Sequence, residues 1–189
     1  SRFTADSFNG DTHFISKAAG FSTSTAGYDW AFGLREISPT EAELLYIVRA
    51  DGTLTELTGG TVAVGEFVHA SAVYDNSTME IYKNGVSVAT AVQTGVVSTS
   101  TNSVWLGNVP ENPAIGAFDG MFDEIRVWNE PQSAAEIVQF QGELTQKEFG
   151  LIKNWRFNEG FGQVAIDSSN SGHHGKLGIG ITHDRRFPG

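Results

Sequence analysis

The sequence predicts an all-β protein: two antiparallel sheets packed as a sandwich of the jelly-roll type, with one short helix near residues 133–140. Stretches rich in Val, Thr, Tyr and Phe follow one another at short, even intervals, with Gly-, Asn- and Asp-containing turns between them. Two of these turns, Asp51-Gly52 and Asn84-Gly85, are strong hairpin signals. The clearest helix start is the capping-box pattern of Ser133 and Glu136.

Length and composition limit the functions that the chain can have. With 189 residues, of which 40% are hydrophobic and 11% aromatic, it is long enough for one all-β domain with a packed core, and it contains no cysteine. The formal net charge of −10 argues against nucleic acid or an anionic membrane surface as a partner. No apolar run approaches the length of a membrane span, so we expect no membrane insertion.

The first strands are predicted on both sides of Asn9-Gly10 and, after a small polar loop, over residues 28–37. Side chains alternate strongly in the latter stretch. If the strand is unbroken at Gly33, its large apolar residues share one face: Tyr28, Trp30, Phe32 and Leu34. This row is either an aromatic ladder in the core or a platform on which a sugar could stack.

The middle of the chain predicts a series of hairpins. A polar break at residues 39–43 leads into strands at 44–49 and 53–57, and Thr58-Gly59-Gly60 predicts a turn after them. Further strands are predicted at residues 69–74, 79–83, 86–92 and 103–107.

After a turn signal at Asp119-Gly120, residues 121–128 predict a strand with apolar side chains on both faces, which is typical of a strand inside a sandwich. Alternation places Asp123 on the same face as Met121, Ile125 and Val127. An unpaired carboxylate on a buried face is costly, so Asp123 needs a partner. That partner is either a bound cation or backbone N–H groups at the start of the strand.

Three stretches together resemble the laminin-G-like and pentraxin-like domains of the concanavalin A-like lectin/glucanase superfamily. Residues 119–137 are similar to the closing signature of these domains, and residues 65–86 to their central hairpin. Residues 151–177, with a Trp-x-Phe-x-Glu-Gly pattern at 155–160, resemble the segment that normally opens such a domain. The resemblance covers most of the chain and implies a concanavalin A-like jelly roll.

The opening segment is out of order, because it lies at the carboxyl end of this chain. We predict one domain over residues 1–189, in which residues 150–189 supply the opening strands, since an open jelly roll would leave long unpaired edges. In the alternative, residues 1–149 form a truncated domain and residues 150–189 begin the next repeat of a tandem array. Strand exchange with a neighbouring repeat is a third arrangement.

The resemblance also implies a structural calcium ion between the closing strand and the opening segment. On this analogy Asp123 supplies a side-chain oxygen, and further oxygens come from Asn158, Glu159, Gly160 and Asp167. Carboxylates combined with backbone carbonyl groups are the ligands that calcium prefers. A site of this kind would fasten the displaced segment to the sandwich.

A carbohydrate site needs an aromatic ring on which a sugar can stack and nearby polar groups that bond its hydroxyls. The candidates are Trp105 with Asn108, and Tyr28 with Asp29 and Trp30. For each aromatic residue, a place in the core is the alternative interpretation.

Catalytic patterns are not evident, so we expect no enzyme activity. The chain has no His-Glu-x-x-His motif and no Gly-x-Ser-x-Gly nucleophile elbow. Retaining glucanases of the superfamily carry carboxylates that alternate along one strand. The nearest approach here, Glu36, Glu41 and Glu43, falls where a loop is expected.

The predicted function is therefore a non-catalytic carbohydrate-binding or adhesion module, with lectin-like binding to a polysaccharide or glycoconjugate and a structural calcium ion. We expect it to belong to a larger protein that is secreted or exposed on the cell surface. One alternative is an architectural spacer repeat that binds calcium only. The other is a polysaccharide hydrolase or lyase.

Overall fold

The computed structural model describes residues 1–18, 27–108, 117–144, 148–169 and 171–176. These residues form an antiparallel β-sandwich with one short helix, so the predicted fold class is confirmed. In chain order the elements are β1 (Arg2–Ala5), β2 (Thr12–Ala18), β3 (Tyr28–Ser38), β4 (Glu41–Ala50), β5 (Thr53–Ala63), β6 (Phe67–Tyr74), β7 (Thr78–Lys83), β8 (Val86–Val92), β9 (Val104–Leu106), β10 (Gly120–Asp123), β11 (Ile125–Trp128), α1 (Ala134–Gln139), β12 (Leu151–Trp155), β13 (Val164–Ala165) and β14 (Gly175–Lys176).

Two five-stranded sheets make up the sandwich. Sheet one has the order β10-β1-β6-β7-β8, and sheet two has the order β5-β4-β3-β2-β9. Strand β11 continues the chain from β10 and pairs with β12, while β13 pairs with β14. Helices that could span a membrane are absent from the described part of the chain.

The main core lies between the two sheets and is rich in aromatic rings. The rings of Phe3 and Phe14 are 4.3 Å apart, and Phe14 meets Phe32 edge to face at 5.5 Å. Trp155 and Ala165, both from the C-terminal segment, belong to the same buried cluster. Burial of this continuous apolar surface is the main force that holds the two sheets together.

Both predicted hairpin turns are confirmed. Asp51 and Gly52 have φ values of 45° and 82°, and Asn84 and Gly85 have φ values of 51° and 81°. Two consecutive positive φ values match the right-handed twist of the flanking strands. The turn predicted at Thr58-Gly59-Gly60 is wrong, because β5 runs through these residues with a shift in its register against β4.

The predicted row of large residues in β3 is only partly correct. Trp30, Phe32 and Leu34 pack in or against the main core. Tyr28 instead packs with Ala31 in a second cluster on the outer face of sheet two. The pairing of β2 with β3 is irregular at this end of the strands, which breaks the simple alternation.

The predicted alternation over residues 121–128 is wrong at its centre. Glu124 adopts a positive φ of 58° and separates β10 from β11. Phe122 and Ile125 consequently both contact the core, whereas Met121 is exposed. A residue outside the regular pleat shifts every later side chain to the opposite face.

The C-terminal segment hydrogen-bonds to the sandwich. Strand β12 is antiparallel to β11, with Trp155 opposite Ile125, and Trp155 also forms a bridge with Asp167. Helix α1 precedes this segment and has the predicted capping box of Ser133 and Glu136. The assignment of residues 1–189 to one domain stays a prediction.

Candidate functional site

Asp123, the first predicted calcium ligand, has a cationic partner within the protein. Its carboxylate pairs with the guanidinium of Arg2, the residue opposite it on β1. The sequence analysis expected a bound cation or backbone N–H groups as the partner of Asp123, and the structure has the Arg2 side chain instead. A cation would have to displace or share this contact.

Asp167 is buried, and its carboxylate accepts four hydrogen bonds. Oδ1 accepts from the backbone N–H of Asn154 at 3.0 Å and of Ser169 at 2.9 Å. Oδ2 accepts from the Ser171 hydroxyl at 2.6 Å and from the His173 N–H at 3.2 Å. Burial raises the pKa of Asp167, but these hydrogen bonds outweigh it and hold the pKa well below its usual range.

The remaining predicted ligands lie on the segment between β12 and β13. Glu159 accepts a hydrogen bond from the Ile166 N–H at 2.6 Å, while Asn158 and Gly160 are exposed. Throughout the described residues, no three His, Asp or Glu side chains are grouped to hold a metal. Donors within the protein bond the carboxylates of Asp123, Glu159 and Asp167, and the calcium site stays a prediction.

Glu124, between β10 and β11, is a buried carboxylate that links β11 to the C-terminal segment. It is 3% exposed and accepts from Arg126 Nε at 3.1 Å and Nη2 at 2.5 Å. Arg156, beyond β12, lies 3.4 Å from the other oxygen. Arg126 also donates to the backbone carbonyls of Phe140 and Gly142, after α1. No local pattern in the sequence predicts this cluster, because the positive φ that turns Glu124 inward occurs at a non-glycine residue.

Two of the predicted sugar-binding residues are buried. Tyr28 packs in the second cluster with its ring 5.3 Å from that of His13. Asp29 accepts from Lys17 Nζ at 3.0 Å and from the hydroxyl of Ser100. His13 is also buried, with both ring nitrogens unpartnered, and burial lowers its pKa to about 4. Ligand access to these groups would require rearrangement of the sheet surface.

Trp105 differs from the other three tryptophans. Trp155 and Trp30 pack in or against the main core, and Trp128 stacks on Phe140 at 5.2 Å. Trp105 lies half-buried on β9, and among the described residues it joins neither hydrophobic cluster nor an aromatic pair. Its cross-strand neighbour is Ser16, which places it on the outer face of sheet two. Asn108 follows just after the strand.

A cavity of about 630 Å³ opens between β6 and β11. Its inner wall is formed mainly by core residues of sheet two, with Lys17 of β2 beside them: Ile15, Trp30, Phe32, Tyr46 and Val48. Ile137 and Phe140, from α1 and its C-cap, line its outer side. Trp30 is the one predicted site residue among those that line this cavity.

The carboxylates considered for catalysis do not lie in a loop as expected. Glu41 and Glu43 begin β4, with Glu43 opposite Arg35 of β3. Glu36 is also on β3 and accepts a hydrogen bond from the Gly10 N–H at 2.5 Å. The polar break predicted at residues 39–43 is therefore wrong for residues 41–43.

Comparison with known proteins identifies the family. A laminin G model described as "Concanavalin A-like lectin/glucanases superfamily" matches residues 3–138. This match covers more than half of the chain, which therefore belongs to the concanavalin A-like lectin/glucanase superfamily. The superfamily includes both binding modules and glucanases. No curated protein sequence matches the chain.

Two solved structures share the fold. One is a "putative carbohydrate binding protein" from Bacteroides ovatus ATCC 8483, with 17% identity and a TM-score of 0.68 over 94% of this chain. The chain spans about half, 52%, of the length of that protein. The other is a heptameric SAP-like pentraxin from Limulus polyphemus, with 16% identity and a TM-score of 0.55, covering 75% of this chain and 67% of the pentraxin chain.

Proposed function

We propose that the protein is a non-catalytic carbohydrate-binding module and that Trp105 supplies the ring on which a sugar of a polysaccharide or glycoconjugate stacks. The carrying observation is the position of Trp105: a half-buried indole on the outer face of an edge strand which, among the described residues, belongs to neither hydrophobic cluster. Superfamily membership and the structural likeness to a protein named for carbohydrate binding support the same class of ligand.

The surroundings of Trp105 suit a sugar. An indole face offers a large apolar surface to the C–H groups of a pyranose ring, and nearby polar side chains can bond its hydroxyls. Asn108 lies three residues further along the chain, just after β9. Asn108 is therefore the polar group that we assign to the site.

The proposal differs from the spacer and hydrolase alternatives in what it requires. A spacer needs no exposed aromatic ring, and a retaining hydrolase needs two carboxyl groups about 5–5.5 Å apart beside the bound sugar. The module that we propose has neither a catalytic nor a calcium-dependent step. We also propose that it belongs to a secreted or cell-surface protein, which the net charge of −10 suits.

A glycan array followed by calorimetry on the best-bound oligosaccharide tests the proposal. We expect Trp105→Ala to raise the Kd about tenfold or more, because loss of an anchoring aromatic residue commonly costs 2 kcal/mol or more of binding. The melting temperature should change little, since Trp105 is outside both hydrophobic clusters.

Phe67→Ala is the matched control. Phe67 is an aromatic residue 61% exposed on sheet one, so its removal should leave the Kd unchanged. Absence of binding to every glycan would overturn the proposal in favour of the spacer. Release of new reducing ends from a bound polysaccharide would show that the protein is a hydrolase or lyase.

A further inference from the structure

The cavity between β6 and β11 lies in the plane of sheet one. It is lined by consecutive residues of β6, Ala70 to Tyr74, and by every residue of β11. Successive side chains of a strand point to opposite faces, so a cavity on one face would contact only every second residue. Both faces of both strands line this cavity, and it therefore occupies the position of a strand that would lie between them.

Strand β1 fills only half of the space between its neighbours. It pairs with β10 and with residues 67–69 of β6, and the pairing continues to Ser1, whose carbonyl accepts from the Ala70 N–H at 2.8 Å. Beyond this point, no strand of the described chain pairs with that edge of β6 or with the facing edge of β11. The gap begins where β1 begins.

Backbone groups on both sides point into the gap. Since the Ala70 N–H points to β1, the alternation of a strand directs the N–H groups of Ala72 and Tyr74 to the same edge. On β12, Asn154 directs its N–H to Asp167 and its carbonyl to Ser168, away from β11. Asn154 lies opposite Arg126, so the backbone hydrogen bonds between β12 and β11 are made by Ile125 and Val127. The N–H and carbonyl of Arg126 therefore point to the gap.

The lining of the cavity suits a strand with apolar side chains on one face. Its inner wall is mainly apolar, with Trp30, Tyr46 and Val48, and Ile137 and Phe140 line its outer side.

We infer that the gap between β6 and β11 is an acceptor for one β-strand from outside these 189 residues. The strand enters in line with β1, runs antiparallel to both neighbours and completes sheet one between β11 and β6. Its backbone bonds to Ala72 and Tyr74 on one side and to Arg126 on the other. It is uncharged, with β-branched or other apolar side chains at the alternate positions that face Trp30, Tyr46 and Val48.

Fusion of a model strand to the chain, followed by amide hydrogen exchange, tests this inference. The probe is Thr-Val-Thr-Val-Thr placed directly before Ser1. Ser1 lies opposite the core-facing Ala70, so this register turns both valines towards the core. We expect exchange at Ala72, Tyr74 and Arg126 to slow at least tenfold relative to the unfused chain. The melting temperature should rise because the new strand buries apolar surface.

Thr-Val-Pro-Val-Thr is the matched control, since proline cannot donate to the ladder of a central strand. It should leave exchange at the three amides unchanged, and equal protection by both fusions, or by neither, overturns the inference. Protection in the unfused chain would show that the gap is closed from within the chain or, if it depends on concentration, by a second copy. Protection by the oligosaccharide that binds the protein would assign the gap to carbohydrate. Either result overturns the assignment to an external strand.

Discussion

Substitution of Glu124 by glutamine should destabilise the protein more than its single lost charge suggests. The side chains of Glu124 and Arg126 are 2% and 6% exposed, so their interaction is hardly screened by water. Removal of one partner of a buried ion pair costs about 3–5 kcal/mol, because the other charge stays buried. Arg126 keeps the carbonyls of Phe140 and Gly142, and a glutamine retains one oxygen, so we expect the lower end. The expected loss is about 3 kcal/mol of unfolding free energy.

Urea and thermal unfolding measure this loss. For a domain of this size, about 3 kcal/mol corresponds to a fall of about 6–12 °C in the melting temperature. Glu143→Gln is the control, because Glu143 pairs with Arg156 but its side chain is 51% exposed, and exposed pairs contribute about 0–1 kcal/mol. Equal, small losses for the two variants would refute the argument that burial makes Glu124 essential.

Three further predictions concern pH, calcium and the C-terminal segment. Burial lowers the pKa of His13 to about 4, whereas the unfolded chain binds this proton below about pH 6.5. The free energy of unfolding should therefore fall by about 3 kcal/mol as the pH drops from 7 to 4. Urea unfolding of His13→Phe should lack this loss, and the same dependence on pH in that variant as in the wild type would contradict the role of His13. If Asp123 binds calcium, Asp123→Ala should lower the melting temperature and abolish its response to a chelator; an unchanged response would place the ion elsewhere. A fragment of residues 1–149 should be insoluble, because it lacks Trp155 and the partner of β11, and a soluble, folded fragment would assign residues 150–189 to a neighbouring domain.

Local signals predicted much of the fold. The Asp51-Gly52 and Asn84-Gly85 turns are determined by residues that tolerate a positive φ, and a capping box needs only Ser133 and Glu136 at the correct spacing. These features lie within a few residues of sequence and are largely independent of the surrounding structure. The class of fold followed because many such short signals agreed.

Features that depend on one irregular residue were not predictable in this way. The alternation around Glu124 fails because a glutamate adopts a conformation that usually indicates glycine, and this reverses the facing of the strand after it. Tyr28 was misplaced because the irregular pairing of β2 with β3 cannot be seen in a run of alternating residues. The gap in sheet one is a relation between β6 and β11, which are far apart in the chain, so no local pattern encodes it.

The four tryptophans give the protein built-in optical reporters that can be separated by their solvent contact. Trp155 is 4% exposed and its indole N–H donates to the His173 carbonyl at 3.2 Å, so its fluorescence should resist a collisional quencher until the C-terminal segment detaches. Trp105, half-buried on an edge strand, should be quenched in the folded state. Emission spectra of unlabelled protein can therefore distinguish a change around Trp105 on β9 from detachment of the C-terminal segment that contains Trp155.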